Sequence, residues 1–469
     1  MTLFNFNDLK EAFGSQLIDF AIRKEFSIDE VIIDSRKSGR GSLFFAFKGQ
    51  NNDGHNFLNE VFSAGGEMAI IEDATYVTKF QNENFVVVKD CFAALYELAK
   101  YSRKRLNAKV IGITGSVGKT GTKEMLKTCL SEYGKVYATI GNYNNHFGLP
   151  LSLCNIGKEY EYVVLEMGMN HLNEINKLSD LAKPHIAIIT TIAPAHIGNF
   201  NNEQEIALAK SEIFCGLNTE GFAIINGDNK YYEFLRNKAI ERGIKSKNIL
   251  AFGKSDFNQY QLIDIKYQSF NKAVVLVKTI NNEKISYDIS SSNYSTIFNS
   301  LMVVACLDLL KLNIKTGINK LSKIDLQKGR GNIIEIKINQ KNITVIDDSY
   351  NANIASMKAG LDYLQNLKQL LNKKRSIAIL GDMFELGDNS EAMHRELLLY
   401  SQQKTDFLVM VGSEMKNLSE NVNKIPFKIY QNSNDASIDF KDIINDGDII
   451  LLKGSRSMKM ENIIKNYVK

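Results

Sequence analysis

The stretch from Lys109 to Glu124, KVIGITGSVGKTGTKE, narrows the choice of fold more than any other part of the chain. An apolar run typical of a buried strand leads into a glycine-rich turn, and a helical segment follows the turn. Glycines let the backbone N–H groups of such a turn point at phosphate oxygens, and the start of a helix favours negative charge. The stretch therefore predicts a strand, turn and helix of an α/β domain that binds a nucleotide.

The turn supplies the predicted nucleotide contacts. They are Thr114, Gly115, Ser116, Val117, Gly118, Lys119 and Thr120. We expect Lys119 to reach the transferred phosphate of ATP and the Thr120 hydroxyl to bind Mg²⁺. The strict pattern GxxxxGKT is not met, because Ile113 takes the place of the first glycine. A turn with a chance lysine is the alternative, but the strand before it and the helix after it favour an ATP site.

Three further candidates follow the neighbouring predicted strands. Glu166 ends the apolar run YVVLE, where a carboxylate can hold magnesium opposite the phosphate turn. His196 follows the predicted strand 186–190, although a lone histidine is more often structural. Lys210 lies in the helical stretch EIALAKSEIF, and a lysine in apolar surroundings favours the neutral amine, which can react with carbon dioxide to give a carbamate. An exposed strand-end glutamate and a solvated surface lysine are the alternatives for Glu166 and Lys210.

The order of predicted elements indicates an α/β protein of three domains. Its 469 residues exceed one ordinary hydrophobic core. We expect a small α/β domain over 1–107, a central domain with a parallel sheet over 108–328, and a Rossmann-like domain over 329–469. Between the last two, the sequence Lys328-Gly329-Arg330-Gly331 reads as a hinge, because glycines flank an arginine.

Composition excludes several classes of protein. The net charge of +4 is small, and no cluster of basic and aromatic residues favours nucleic acid. The five cysteines are scattered in apolar stretches and read as buried thiols, which fits a reducing compartment. No stretch reaches the roughly 18 apolar residues of a membrane span. We therefore expect a cytoplasmic protein.

Several stretches together resemble the Mur ligase family over nearly the whole chain. They are TGSVGKT, GNYNNHFGLPLSL, EMGMNHLNEI, TTIAPAHIGNF, AKSEIF, IDDSYNANIASM, LGDMFELG and LLKGSRSM. Within the family, the match is best to members that join D-alanyl-D-alanine to UDP-N-acetylmuramoyl-tripeptide with ATP, through an acyl phosphate. The N-terminal IDSRKSGRGSLFFAFKGQNNDGHNF resembles their UDP-sugar-binding domain.

The resemblance also implies roles for individual residues. Glu166 and His196 would hold magnesium, two ions in all, and Lys210 would be the carbamylated lysine. Arg330 and Asp348 would contact ATP from a C-terminal domain that closes over the site. The family usually shows His-Asn-x-x-Asn-Ala before the long apolar helix, whereas this chain has Thr296 for the first asparagine, so only Asn299 is carried over.

Substrate contacts are predicted at both ends of the chain. Ser35, Arg36 and Lys48 are candidates for the UDP end, where a guanidinium can take a pyrophosphate in two-pronged fashion. The incoming dipeptide and the peptide substrate are assigned to strand-end loops and to the NNHFGLP stretch, at Asn145, Asn351, Asn353, Asp382, Lys453 and Arg456. Each of these could instead be a surface polar residue.

Two rival functions stay open on sequence alone. One is another ligase on the same scaffold, which would add a single amino acid to a UDP-muramoyl substrate or glutamate to folate; the N-terminal domain argues against folate. The other is an ATPase that drives a conformational switch and makes no bond. In each case we expect a monomer.

Overall fold

The computed structural model describes residues 2–50, 52–195, 197–324 and 329–468, which form three β-sheets with helices between their strands. Two sequence predictions, the magnesium ligand His196 and the hinge residue Lys328, lie outside the described residues. The α/β class and the three-sheet arrangement agree with the sequence prediction.

The N-terminal sheet contains five strands. Its elements are α1 (Phe6–Phe13), β1 (Leu17–Ala21), β2 (Glu30–Ile32), β3 (Ser42–Phe45), α2 (Leu58–Ser63), β4 (Met68–Ile71), α3 (Thr75–Lys79), β5 (Asn84–Val88) and α4 (Cys91–Arg105). The strand order is β1-β5-β4-β3-β2, and only the edge strand β1 runs antiparallel to its neighbour. The edge strand β1, LIDFA, is largely exposed, whereas β3, β4 and β5 are buried along their whole length.

The central sheet contains nine strands. They are β6 (Lys109–Thr114), β7 (Val136–Ala138), β8 (Tyr162–Glu166), β9 (Ile186–Ile189), β10 (Phe222–Asn226), β11 (Ile249–Gly253), β12 (Tyr260–Ser269), β13 (Lys272–Lys278) and β14 (Lys284–Ile289). The helices are α5 (Lys119–Leu130), α6 (Gly148–Cys154), α7 (Glu174–Ala182), α8 (Glu203–Ser211), α9 (Tyr232–Glu241), α10 (Tyr294–Leu309) and α11 (Ile314–Ile318).

The parallel part of this sheet sets the position of the site. The order is β14-β13-β12-β11-β10-β9-β6-β8-β7, and the strands from β7 to β12 pair in parallel. An antiparallel meander of β12, β13 and β14 extends the parallel part. The chain continues from β6 towards β7 and β8 on one side and towards β9 and β10 on the other, so a crevice forms at the carboxyl end of β6.

The C-terminal sheet contains six strands. Its elements are β15 (Asn332–Ile338), β16 (Lys341–Asp348), α12 (Ile354–Leu370), β17 (Ser376–Gly381), α13 (Ser390–Ser401), β18 (Phe407–Val411), α14 (Ser413–Asn417), β19 (Phe427–Tyr430), α15 (Ser433–Ile443) and β20 (Ile449–Lys453). The order is β15-β16-β20-β17-β18-β19, with β15 alone antiparallel.

Local sequence explains where the helices that border the site begin. Asn353 caps α12 in a reciprocal arrangement, because its side-chain oxygen accepts from the Ser356 N–H and the Ser356 hydroxyl accepts from the Asn353 N–H. Helix α5 begins after Gly118, whose φ of 90° is a conformation that favours glycine. Helix α5 packs against α10, and Leu126 and Leu301 belong to the same buried cluster.

Two global features complete the description. Cys91, Cys129, Cys154 and Cys306 are buried and Cys215 is half-buried, all as free thiols, which agrees with the buried thiols expected from the sequence. Across the described ranges, none of the helices combines the length and the apolar character that crossing a membrane requires.

Candidate functional site

The predicted phosphate turn connects β6 to α5 and leaves no room for side chains at two of its glycines. A Cβ atom on Gly115 would lie 1.8 Å from the Thr190 hydroxyl oxygen, and one on Gly118 would lie 2.9 Å from the Asn299 amide nitrogen. The Ser116 hydroxyl donates to the Ala193 carbonyl at 2.7 Å, so the turn is fixed to the segment after β9. The backbone of the turn is thus shaped and held for close approach to a ligand.

Lys119 stands at the start of α5, where its ammonium donates to the Gly115 carbonyl at 2.7 Å. Burial lowers the pKa of Lys119, Glu166 acts in the opposite direction, and the positive charge of Arg330 lowers it further. Lys119 therefore shares one electrostatic environment with Arg330, which lies within the predicted hinge.

Glu166, the last residue of β8, is held on both carboxylate oxygens. The Thr120 hydroxyl donates to one oxygen at 2.9 Å, and the Asn144 amide donates to the other at 2.9 Å. The backbone N–H of Glu166 donates to the Thr139 hydroxyl at 2.9 Å, which fixes the end of the strand. A hydroxyl and a buried carboxylate side by side fit Mg²⁺, which prefers oxygen ligands and typically takes one or two from protein side chains.

The described residues contain no group of three histidine, cysteine or acidic side chains placed to hold a metal ion. The fit to magnesium therefore depends on the pair Thr120 and Glu166, together with the ligand oxygens of a nucleotide.

Lys210 lies on α8 with only 2% of its surface exposed. Burial holds its pKa well below the ordinary value, and the charge of Lys119 lowers it further. Within the described ranges, the Lys210 ammonium has neither a hydrogen bond nor an acidic partner. Lys210 is thus buried rather than a solvated surface lysine, and the neutral amine that burial favours is the form that reacts with carbon dioxide.

The C-terminal unit contributes a second group of charges. Lys453 is 2% exposed, and its ammonium lies 2.6 Å from the Asp348 carboxylate and 3.0 Å from the Asn351 carbonyl oxygen. Burial raises the pKa of Asp348, while Lys453 and Arg330 act to lower it. Arg456 forms an ion pair with Glu461 at 2.7 Å.

One cavity of about 1060 Å³ connects the residues around the phosphate turn with the charged residues of the C-terminal unit. It brings together most of the predicted site residues, namely Ser116, Val117, Gly118, Lys119, Thr120, Asn145, Glu166, Lys210, Asn299, Arg330, Asp348, Asn351, Asn353, Lys453 and Arg456. Ser295 and Thr296, which stand where the family pattern has histidine and asparagine, also line it. A cavity with basic side chains on two walls and a glycine-rich turn at its base can hold a polyphosphate.

Asp382 follows β17, as the sequence predicted, and caps a neighbouring helix. Its side chain is 2% exposed and is not among the residues that line this cavity. Its carboxylate accepts from the backbone N–H groups of Glu414 at 3.2 Å and Met415 at 2.9 Å, at the start of α14. Its predicted contact with the dipeptide stays a prediction.

The candidates in the N-terminal unit lie outside the cavity lining as well. Arg36 is exposed and binds Asp34 through two nitrogens, at 2.8 and 2.7 Å, while Ser35 donates to Glu60 at 3.2 Å. Lys48 is exposed at the isolated bridge to Asp53. Their predicted contact with the UDP end stays a prediction.

Two site residues escaped sequence reasoning. Asn144 touches Glu166, and Tyr350 lies against Arg330, with the guanidinium carbon 3.9 Å from the ring centroid. Both lie in stretches that carried the family resemblance, GNYNNHFGLP and IDDSYNAN, yet no spacing rule singles them out.

Comparison with known proteins connects this geometry to a family. Residues 113–307 match the Mur ligase middle domain, and residues 329–456 match the Mur ligase, glutamate ligase domain. The UDP-N-acetylmuramoyl-tripeptide–D-alanyl-D-alanine ligase of Rickettsia prowazekii is 35% identical over 95% of this chain and 96% of its own length. The protein of that name from Bacillus subtilis is 33% identical over 94% of this chain and 93% of its own length.

Solved structures give the same result. MurF from Acinetobacter baumannii superposes with a TM-score of 0.86 at 29% identity, covering 99% of this chain and 98% of that protein. MurF ligase from Thermotoga maritima, solved in complex with ADP, has a TM-score of 0.79 at 25% identity, covering 93% of this chain and 96% of that protein.

Proposed function

We infer that this chain, which belongs to the Mur ligase family, joins D-alanyl-D-alanine to UDP-N-acetylmuramoyl-tripeptide with consumption of ATP, giving the pentapeptide precursor of peptidoglycan. The observation that carries this conclusion is the near full-length match to ligases of that name, combined with a cavity whose two walls both present cations.

The reaction requires activation of a carboxylate, because joining a carboxylate to an amine in water is uphill. The terminal carboxylate of the tripeptide attacks the γ-phosphorus of ATP, ADP leaves, and an acyl phosphate forms. The amine of the dipeptide then attacks the acyl carbon, and the tetrahedral intermediate expels phosphate as the amine loses its proton. Lys119 and Arg330 stabilise the negative charge that spreads over the phosphoryl oxygens in the first step.

We propose that Thr120 and Glu166 hold Mg²⁺, with His196 as a further ligand and a second ion nearby. Mg²⁺, when bound, neutralises charge on the phosphoryl oxygens. In addition, we propose that the neutral Lys210 amine takes up carbon dioxide and releases a proton, which places an anion where the buried lysine otherwise lacks a described partner. Asn144 orients Glu166 through its amide hydrogen bond.

We propose that the two peptide substrates bind to different parts of the cavity. The incoming dipeptide lies against the C-terminal wall at Asn351, Asn353, Lys453 and Arg456. Lys453 suits the dipeptide carboxylate because it is a buried cation held in place by Asp348. The peptide substrate approaches along Asn145, and its UDP end is assigned to Ser35, Arg36 and Lys48.

We also propose the domain limits, the cellular location and the oligomeric state. The limits 1–107, 108–328 and 329–469 are supported by the three sheets and by the ranges of the two family matches. A cytoplasmic monomer is supported by the free thiols and by a cavity to which one chain contributes both walls.

The experiment that tests the function is a mass-spectrometric assay with ATP, defined UDP-muramoyl peptides and a panel of dipeptides. We expect phosphate release only when tripeptide and D-alanyl-D-alanine are both present, together with one pentapeptide product per phosphate. Release from ATP alone would favour the switch ATPase, and a product with a single amino acid would favour another ligase of the family.

A further inference from the structure

We propose that Tyr350 is a positioning residue, which holds the Arg330 guanidinium over the phosphoryl-transfer site through its aromatic face. The inference rests on the proposed function, because it assigns Arg330 to the triphosphate. It adds a residue that neither the sequence motifs nor the proposed chemistry requires.

The first observation is the short distance between the Arg330 guanidinium and the Tyr350 ring. The Arg330 guanidinium carbon lies 3.9 Å from the Tyr350 ring centroid, well inside the roughly 6 Å within which a cation is attracted to an aromatic face. The Arg456 guanidinium carbon lies 5.9 Å from the same centroid. One ring therefore contacts two cations that also line the cavity.

The second observation is that backbone hydrogen bonds fix the ring and the arginine to each other. The Tyr350 N–H donates to the Gly329 carbonyl at 3.0 Å, and the Gly331 N–H donates to the Asp347 carbonyl at 2.7 Å. Gly329 and Gly331 both have positive φ, of 77° and 82°, so the chain doubles back on each side of Arg330. The predicted hinge residues on both sides of Arg330 are thus hydrogen-bonded to the segment that carries Tyr350.

The third observation is that Arg330 has unused hydrogen-bonding capacity. Its buried Nε has no hydrogen-bond partner among the described residues. A buried donor without a partner is costly, and the cavity beside it also contains Lys119 and Lys453. A planar guanidinium with free donors in a cavity of positive charge suits a phosphate oxygen.

Tyr350 itself lines the cavity, and Arg330 lies over one face of its ring. We assign the contribution of the ring to the arginine, and the double-mutant cycle below separates this role from a direct contact with a substrate. The contribution belongs to the π face, and the hydroxyl is not needed for it.

The test is a double-mutant cycle in the full-length protein, using Tyr350→Leu, Tyr350→Phe, Arg330→Lys and the double variant Arg330→Lys with Tyr350→Leu. We expect Tyr350→Leu to lower kcat/KM for ATP about tenfold and Tyr350→Phe to restore most of that loss. Lysine keeps the positive charge, which the ring still attracts, but lacks the planar guanidinium. In the Arg330→Lys background, Tyr350→Leu should therefore cost less than in the unmodified protein, about threefold at most.

Two results would overturn the inference. One is an equal cost of Tyr350→Leu in both backgrounds, and the other is a Tyr350→Phe variant as impaired as Tyr350→Leu. Thermal unfolding of each variant identifies loss of fold. If Tyr350→Leu does not fold, Tyr350→Phe still shows whether the hydroxyl is needed, and Arg330→Lys still shows whether the guanidinium is needed. Calorimetric titration with ATP measures the same double-mutant cycle as binding free energies, without turnover. A chain that binds ATP but makes no peptide bond would contradict the proposed function. The coupling between Arg330 and Tyr350 could still be measured in that chain.

Discussion

Gly198 of the central unit and Gly387 of the C-terminal unit lie so close that neither has room for a side chain. A Cβ atom on Gly198 would lie 2.7 Å from the Gly387 nitrogen, and one on Gly387 would lie 2.9 Å from the Gly198 Cα. The Gly198 N–H also donates to the Glu385 carbonyl at 3.0 Å. The two walls of the cavity therefore meet through backbone at this point.

Gly198→Val should disrupt this contact and hold the walls apart. We expect kcat/KM to fall by about tenfold or more, because the C-terminal cations no longer reach the nucleotide. Small-angle scattering with ATP bound should show a larger radius of gyration than for the unmodified protein. Gly39→Ala is the control, since a Cβ atom there meets nothing within 4 Å. An unchanged radius of gyration and normal turnover in Gly198→Val would show that this glycine contact does not hold the two walls together.

Lys119→Ala should abolish phosphate release that depends on both peptide substrates, with a loss of about 10² to 10³ in kcat for one lost charge-stabilising group. The reason is that Lys119 lies within the phosphate turn beside Arg330. Lys127→Ala, an exposed lysine on the same helix, is the matched control. A Lys119→Ala variant that retains near-normal turnover would remove the central role of the phosphate turn.

Lys210→Met should raise the unfolding temperature at pH 7 in buffer depleted of carbon dioxide, by a few degrees. Burial lowers the pKa of Lys210 in the folded protein, so the unfolded chain binds the proton more tightly than the folded one. This makes stability fall as the pH drops from about 10.4, the unfolded pKa, towards the lowered folded pKa. Methionine removes that cost. Lys177→Met, at an exposed position on α7, should leave the unfolding temperature unchanged.

The same pair of variants tests the carbamate. Bicarbonate should stabilise the unmodified protein and leave Lys210→Met unaffected, with ¹³C-labelled carbon dioxide detected on the intact chain. A Lys210→Ala variant should be inactive and should regain activity with a short added carboxylate. Absence of label together with absence of rescue would contradict the carbamate.

Asp382→Ala should reduce stability and have little effect on KM for the dipeptide. Two buried backbone N–H groups at the start of α14 lose their acceptor, which costs about 1–3 kcal/mol of unfolding free energy. Urea denaturation measures the loss, and Asp388→Ala, an exposed acid, serves as the comparison. A selective rise in KM for D-alanyl-D-alanine with unchanged stability would restore the substrate role.

The sequence predicted the strands that carry the site, because buried parallel strands read as apolar runs and their carboxyl ends meet at one edge. Glu166 and Lys210 were identified in this way, and the structure brings both to the cavity of Lys119. Tyr350 and Asn144 were missed because their partners, Arg330 and Glu166, lie 20 and 22 residues away, and only the fold decides those contacts. The cap that Asp382 forms on α14 was not predicted, because a strand-end acid reads the same in sequence whether it faces a cavity or caps a helix.

Lys119 lies on one wall of the cavity and Arg330 on the other, and the charge of Arg330 acts to lower the pKa of Lys119. The two cations therefore repel each other until a polyanion lies between them. A bound triphosphate would then hold the two walls of the cavity together, and its conversion to a diphosphate would weaken this attraction. Each catalytic cycle would therefore favour opening of the cavity. The attraction between the walls would decrease as salt screens the charges.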